Sequence, residues 1–167
     1  DQTLSAHEHD DSLPRWAAET WPAWREIKDQ VYHETEAVWC DDYLAIDAAK
    51  WAHEFKGIVW YEHDAFGRRV AELGNLPLHG GGPGAEQRIL KETGNRSIVA
   101  SIHAHGTGRD GLQRIFNHQL IANPPGNGLM WEQVLGRLHR LGQEADETVN
   151  YVYRHVDEMA DAIDRAL

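Results

Sequence analysis

From residue 57 onward the chain alternates short apolar runs with helical stretches, and this alternation limits the fold more than any other feature. GIVWY (57–61), LPLH (76–79), SIVASI (97–102), RIFNHQLIA (114–122) and TVNYVY (148–153) each read as a strand. Helical stretches over about 64–73, 85–92, 129–141 and 157–166 follow four of these strands, with loops at GGGPG (80–84) and NPPGNG (123–128). A strand that returns through a helix re-enters its sheet parallel to its predecessor. The expected fold class is therefore α/β, in three layers: a mostly parallel sheet with helices on both faces. Ligands in such folds gather at the carboxyl ends of the strands.

The first third is different. Ser12 and Pro14 predict a short helical turn, and Thr20 and Pro22 open a longer helix to about residue 36, with Trp24, Ile27 and Val31 on one face. A further helix begins near Asp41 and Asp42, whose carboxylates suit its positive end. Leu44, Ala48, Trp51 and Phe55 form its buried stripe, and Gly57 stops it. Five of the seven tryptophans lie within residues 1–51, where they serve to dock helices. The expected division is an acidic, Trp-rich helical linker or insertion over 1–40 and the α/β domain over 41–167.

Charge restricts function. The net charge of −11 is concentrated at the start: residues 1–50 carry −8 and residues 51–167 carry −3. A domain that grips nucleic acid alone is more often basic, so any such contact here is expected to be local and to need another domain. The one cysteine, Cys40, cannot form an internal disulfide, which suits a reducing cytosol. No apolar run approaches the roughly 20 residues of a membrane span. The opening DQTLSAHEHDDS has neither basic flank nor apolar core, so no secretory leader is expected. The expected location is cytoplasmic, with no membrane partner.

Chemistry concentrates in 129–141. Read as a helix at about 100° per residue, this stretch places Trp131, Leu135 and Leu138 on one side and Gln133, Arg137 and Arg140 nearly opposite. Gly136 beside them permits close approach of a backbone or a phosphate. Arginine is always charged, and its planar fork matches phosphate oxygens. Two arginines three apart are ordinarily a solvated face; the surrounding pattern sets these apart.

QVLGRLHRLGQEADE (133–147) resembles motif VI of superfamily 2 helicases, above all the Swi/Snf-type branch, whose Q-x-x-G-R-x-x-R core and following G-Q pair match Gln133, Gly136, Arg137, Arg140, Gly142 and Gln143. KGIVWYEH (56–63) looks like motif IV. LHGGGPGAEQRILKE (78–92) is similar to the next block, a Gly-bearing loop before a helix carrying an arginine, here Arg88. SIHAHGTGRDGLQRIF (101–116) resembles motif V, with Gly108, Asp110, Gly111 and Leu112 in place. The resemblance covers about residues 42–167. Gln113-Arg114 stand where the family usually has Asn-Leu, and His103 and His105 where small or hydroxyl residues are common, which suggests a divergent bacterial or phage member.

The resemblance implies a second RecA-like domain, the C-terminal half of an ATP-dependent helicase or DNA translocase. Arg137 and Arg140 would act on the γ-phosphate. Gln133, Gly108, Asp110 and Gly111 would contact ATP, and Gly80, Gly81, Gly82, Arg88 and Thr107 the backbone of DNA, or of RNA. ATP and Mg²⁺ would be held mainly by a first RecA-like domain elsewhere on the same or a partner chain.

The residues agree that this half is incomplete. None of the four lysines, Lys28, Lys50, Lys56 and Lys91, follows a glycine, so no phosphate-loop G-K-[ST] occurs. GGGPG reads as a turn. Asp146-Glu147 precedes a strand, and Asp157-Glu158 reads as the negative first turn of the last helix. A rival reading is a non-catalytic RecA-like interaction module with an acidic arm. Another is a metal enzyme: His103 and His105 on a strand would share a face, and His7 and His9 form a second pair, but spacing fixes no third ligand and no metal is expected.

Overall fold

The computed structural model describes residues 15–28, 30–31, 38–106 and 110–166. The chain divides into two compact units, Asp1–Val38 and Trp39–Leu167. The first contains helix α1, Arg15–Ile27, with Pro22 in its interior. Pro22 was expected to open a helix; instead the helix begins about two turns earlier, and Pro22 omits one backbone hydrogen bond within it. The helix also ends sooner than expected, so Val31 lies beyond it. The turn expected at Ser12 and Pro14 lies outside the described residues.

The second unit runs α2 (Tyr43–Phe55), β1 (Ile58–Tyr61), α3 (Asp64–Gly74), β2 (Leu78–His79), α4 (Ala85–Ile89), β3 (Ile98–Ser101), α5 (Ile102–His105), a 3₁₀ turn (Leu112–Arg114), β4 (His118–Ile121), α6 (Gly128–Leu135), β5 (Val149–Val152) and α7 (Asp157–Ala166). The strands form one sheet in the order β2-β3-β1-β4-β5. Every pairing is parallel, with Ile58 opposite Ile98 and Gln119, and His118 opposite Val149.

Strand alternation sorts the core into two halves. Ile58, Trp60, Ile98, Ala100 and Ile121 face one side, where Ile89, Leu112, Phe116, Trp131, Val134, Leu138 and Ile163 cover them. Val59, Tyr61, Val99, Leu120 and Ala122 face the other, against Ala45, Ala48, Trp51 and Ala52 of α2 and Val70 and Ala71 of α3. Two covered faces make three layers, as expected of a parallel sheet. The stripe read on α2 is the one that packs, with Leu44 and Phe55 at its half-buried ends. The expected stop at Gly57 falls one residue late: Lys56, in the left-handed region at φ 48, ends that helix, and Gly57 follows where a side chain cannot fit, since a Cβ would lie 2.3 Å from the His118 carbonyl oxygen.

Several expected elements are shorter. β2 keeps only Leu78 and His79, and β4 begins at His118 because Leu112–Arg114 curl into a 3₁₀ turn. β3 stops at Ser101, whose hydroxyl caps α5 by accepting from the Ala104 amide. His103 and His105 are therefore on a helix and do not share a strand face. Among the described residues no group of three or more His, Cys, Asp or Glu could hold a metal ion, and no helix is long and apolar enough to cross a membrane.

Candidate nucleotide and nucleic-acid interface

The arginine segment is set by where α6 ends. Asn127 caps its start, accepting from the Met130 amide at 3.2 Å. Its end is held by Gln119, a fully buried amide on β4. Gln119 Nε2 donates to the carbonyls of Val134 (3.1 Å) and Leu135 (3.3 Å) and to Asn150 Oδ1, while Oε1 accepts from the indole N–H of Trp60 at 2.8 Å. Helix-end carbonyls lack intrahelical donors, so an amide aimed at them fixes the terminus. The helix stops at Leu135, and the stretch expected to run to 141 turns instead.

That turn corrects the helical projection. Gln133 remains on α6, half-buried, whereas Arg137 swings inward and is 0% exposed. Its Nε and Nη2 donate to the Gly106 carbonyl at 3.1 and 2.7 Å. A guanidinium does not deprotonate, so its burial demands acceptors. Glycine at 106 fits where a side chain would not: a Cβ there would lie 2.4 Å from the Ile102 carbonyl oxygen and 3.1 Å from Val134 Cγ2.

Arg140 faces the rim. Its Nη1 donates to Asp110 Oδ1 at 2.7 Å and its Nε to the Gly136 carbonyl at 3.0 Å, with side chains 33% (Arg140) and 80% (Asp110) exposed. An ion pair so exposed is worth only about 0–1 kcal/mol, so Arg140 can change partners cheaply. Two glutamines complete the stitching. Gln113 accepts from the Gly111 amide at 2.8 Å and donates to the Leu141 carbonyl at 3.3 Å. Gln143 donates to the Phe116 carbonyl at 3.0 Å and to that of Leu138 at 3.3 Å. The structure thus brings Asp110, Gly111, Arg137 and Arg140 together; Gly108 and Thr107 lie outside the described residues. Gln113, which departs from the family pattern, is a tie between the two segments. Gln119 gave no sequence signal beyond a lone amide in an apolar strand.

The glycine loop follows β2. Gly80 is held by His105, fully buried, whose Nε2 lies 3.0 Å from the Gly80 carbonyl oxygen. A carbonyl only accepts, so Nε2 carries the proton in this contact. Behind the loop, His79 Nε2 meets Glu92 Oε1 at 3.0 Å. Gly81 and Gly82 are exposed. Arg88, also exposed, donates from Nη1 to the Pro83 carbonyl at 2.8 Å, bracing its own loop. His103 Nε2 lies 3.5 Å from Glu62 Oε1 at the end of β1. Burial foremost, with Asp64 nearby, pushes the Tyr61 phenol up, keeping it neutral at the same strand end.

No family model and no curated protein matches the sequence. Solved structures do match. T4 UvsW aligns with 98% of this chain at 15% identity and a TM-score of 0.53; the C-terminal part of the Fun30 ATPase domain aligns with 99% at 13% identity and a TM-score of 0.58. The chain spans 36% of the length of the first and 63% of the second. At these identities the likeness establishes the fold: the chain is a RecA-like α/β domain of the kind these two structures contain.

Proposed function

We propose that this chain is the C-terminal RecA-like half of an ATP-dependent nucleic-acid motor, a superfamily 2 helicase or DNA translocase akin to the Swi/Snf-type branch, from a bacterial or phage source and working in the cytoplasm. The observation that carries the reading is Arg140: a rim guanidinium on an exchangeable carboxylate, mounted on a turn that buried polar contacts fix. A first RecA-like domain, on the same or a partner chain, holds ATP and Mg²⁺. As the two close, Arg140 leaves Asp110 for the γ-phosphate and stabilises charge developing in phosphoryl transfer, a role worth about 10³ to 10⁵ in rate where it is known. Arg137 supports it from behind by fixing the turn to Gly106. Gln133, Gly108, Asp110 and Gly111 border the nucleotide. Gly80, Gly81, Gly82, Arg88 and Thr107 meet the sugar-phosphate backbone, positioning the strand without reading its sequence.

The test is nucleic-acid-stimulated ATPase activity of the protein that carries both domains. Arg140→Ala is expected to remove stimulated turnover by at least about 10³-fold while ATP binding persists. Normal turnover in that variant would sink the arginine-finger role of Arg140, and no stimulated turnover in the unsubstituted protein would sink the motor reading and favour a non-catalytic interaction module. This chain by itself is expected to show no ATPase activity.

A further inference from the structure

The sheet ends differently at its two edges. At one edge β2 keeps only Leu78 and His79 and follows Pro77, so it offers little to a further strand. At the other, β5 runs Val149–Val152 with no charge and no proline in it, and among the described residues no strand pairs with its outer side. Its backbone is oriented by β4: the Val149 amide donates to the Asn117 carbonyl at 2.9 Å and the Tyr153 amide to that of Ile121 at 3.1 Å. Successive residues of a strand face opposite sides, so Asn150 and Val152 turn both N–H and C=O outward. Natural edges are ordinarily blunted by a charge, a proline or a bulge, because bare ladder groups invite another strand.

The side chains of this edge are open as well. Tyr151 is half-buried at the border of an aromatic group, its ring centroid 4.9 Å from that of Phe55, 5.5 Å from Trp51 and 6.4 Å from His118. The flanks of the strand differ in sign. Glu144, Asp146 and Glu147 lead into it, Arg154 and His155 lead out of it, and all are exposed. Arg154 pairs with Asp164 at 2.9 Å, but both side chains are more than half exposed, so that pair exchanges readily. The acidic first turn of α7, Asp157 and Glu158, stays outside the ladder, because the chain there is helical and packs Ile163 on the sheet.

We infer that β5 is the contact between two copies of this chain, paired antiparallel about a two-fold axis into one continuous sheet. Charge selects both the partner and the direction. Antiparallel pairing lays the acidic lead-in of each copy beside the basic lead-out of the other, whereas parallel pairing lays like beside like. The register that uses every outward group of β5 sets Asn150 opposite Val152 of the second copy and forms four backbone hydrogen bonds. It puts Tyr151 on the axis against its own counterpart, in a non-hydrogen-bonded pair, where facing side chains come closest. The aromatic group of one copy then continues into that of the other. Glu147 stands opposite His155 of the second copy, one residue from Arg154. A contact this short is small, so a dissociation constant on the order of micromolar is expected. The inference does not depend on the motor reading.

Sedimentation velocity of the full chain over a range of concentrations tests it, and a monomer–dimer equilibrium is expected. Val152→Pro removes an outward N–H and sets a ring in its place, as edge strands tolerate; it is expected to raise the dissociation constant at least about tenfold while far-ultraviolet circular dichroism stays that of the wild type. Arg154→Glu makes the lead-out acidic, and Glu147→Lys adds a positive charge to the lead-in. Each alone is expected to weaken the dimer several-fold, and an equimolar mixture of the two to associate more tightly than either, because the altered flanks then meet charges of opposite sign. A variant that merely folds less well gains nothing from mixing. A chain still monomeric at about a hundred times the micromolar range overturns the inference. So does a dimer that folded Val152→Pro leaves intact, which puts the contact elsewhere. Should Val152→Pro unfold, a mixture no tighter than its components overturns it.

Discussion

Gln119→Leu tests how the arginine turn is mounted. The side chain is fully buried and satisfies three kinds of group: the Trp60 indole N–H, the two last carbonyls of α6, and the Asn150 amide oxygen. Leucine is close in size but satisfies none of them. Asn150 is exposed and can turn to water, so its loss is small. Trp60 is fully buried and the helix end is closed over, leaving one donor and one carbonyl site without partners. Each costs about 1–3 kcal/mol, so a destabilisation of about 2–6 kcal/mol is expected. That is a large part of the roughly 5–15 kcal/mol of an ordinary domain. Urea unfolding followed by far-ultraviolet circular dichroism measures it. Adding Trp60→Phe removes the stranded donor, so the double variant is expected to be more stable than the sum of the single losses predicts, by about 1 kcal/mol or more. A Gln119→Leu loss below about 1 kcal/mol with an unchanged m-value would refute the mounting argument.

Three further outcomes are expected. Arg137→Met keeps the apolar stem but strips the Gly106 carbonyl of its donors, costing about 1–3 kcal/mol in the same unfolding assay; Arg137→Lys is expected not to rescue it, because an ammonium lacks the fork that places two nitrogens on one oxygen. Hydrogen bonds from Arg69 hold the Asp42 carboxyl below its ordinary value. Its contribution is present above the unfolded value of about 4 and is lost as pH falls through the lower folded value; the stability gap between wild type and Arg69→Leu is therefore expected at pH 6 and to close in acid. Burial first, then the hydrogen bond to Asp47 at 2.6 Å, pushes the Tyr153 phenol up. Its contribution is complete below about pH 10 and is lost as pH rises through the raised folded value, so Tyr153→Phe is expected to flatten the stability decline measured above pH 10.

The sheet was legible because its strands are buried on both faces. IVWY and IVAS are runs of four buried residues, all apolar but Ser101, and such runs leave few alternatives. The last helix was legible from its charge: Asp157 and Glu158 open it and Arg165 lies in its final turn, so its expected and observed bounds coincide at 157–166. The arginine segment was legible as a motif but not as a shape. A helical projection assumes that the helix continues, and what holds the end of this one is Gln119, 15 and 16 residues from the carbonyls it meets and on another layer. Arg137 reads as solvent-facing until the Gly106 carbonyl is placed beside it, 31 residues distant. Periodicity reports local geometry; it carries no information about which distant carbonyl a guanidinium will meet. The same limit applies to His105, whose partner, Gly80, is 25 residues away.

Two neighbouring residues tie the proposed strand-binding loop to the proposed catalytic turn. His105 grips the Gly80 carbonyl through its side chain, and Gly106 offers its own carbonyl to Arg137. Both residues are buried, as is Arg137, so water does not compete for these contacts. Breaking either would strand a buried polar group at a cost of about 1–3 kcal/mol. The Arg140–Asp110 pair is different in kind: partly exposed, worth at most about 1 kcal/mol, and the one contact on this path that the proposed motor would exchange. Coupling between distant sites needs an element with two arrangements that both sites bias. Along Gly80, His105, Gly106 and Arg137 the path is stiff, so a displacement of the glycine loop is transmitted to the turn rather than absorbed. On the proposed motor reading it ends at Arg140, the contact with the least to lose by switching, where a small shift in the turn would decide whether the guanidinium stays with Asp110 or crosses to a phosphate.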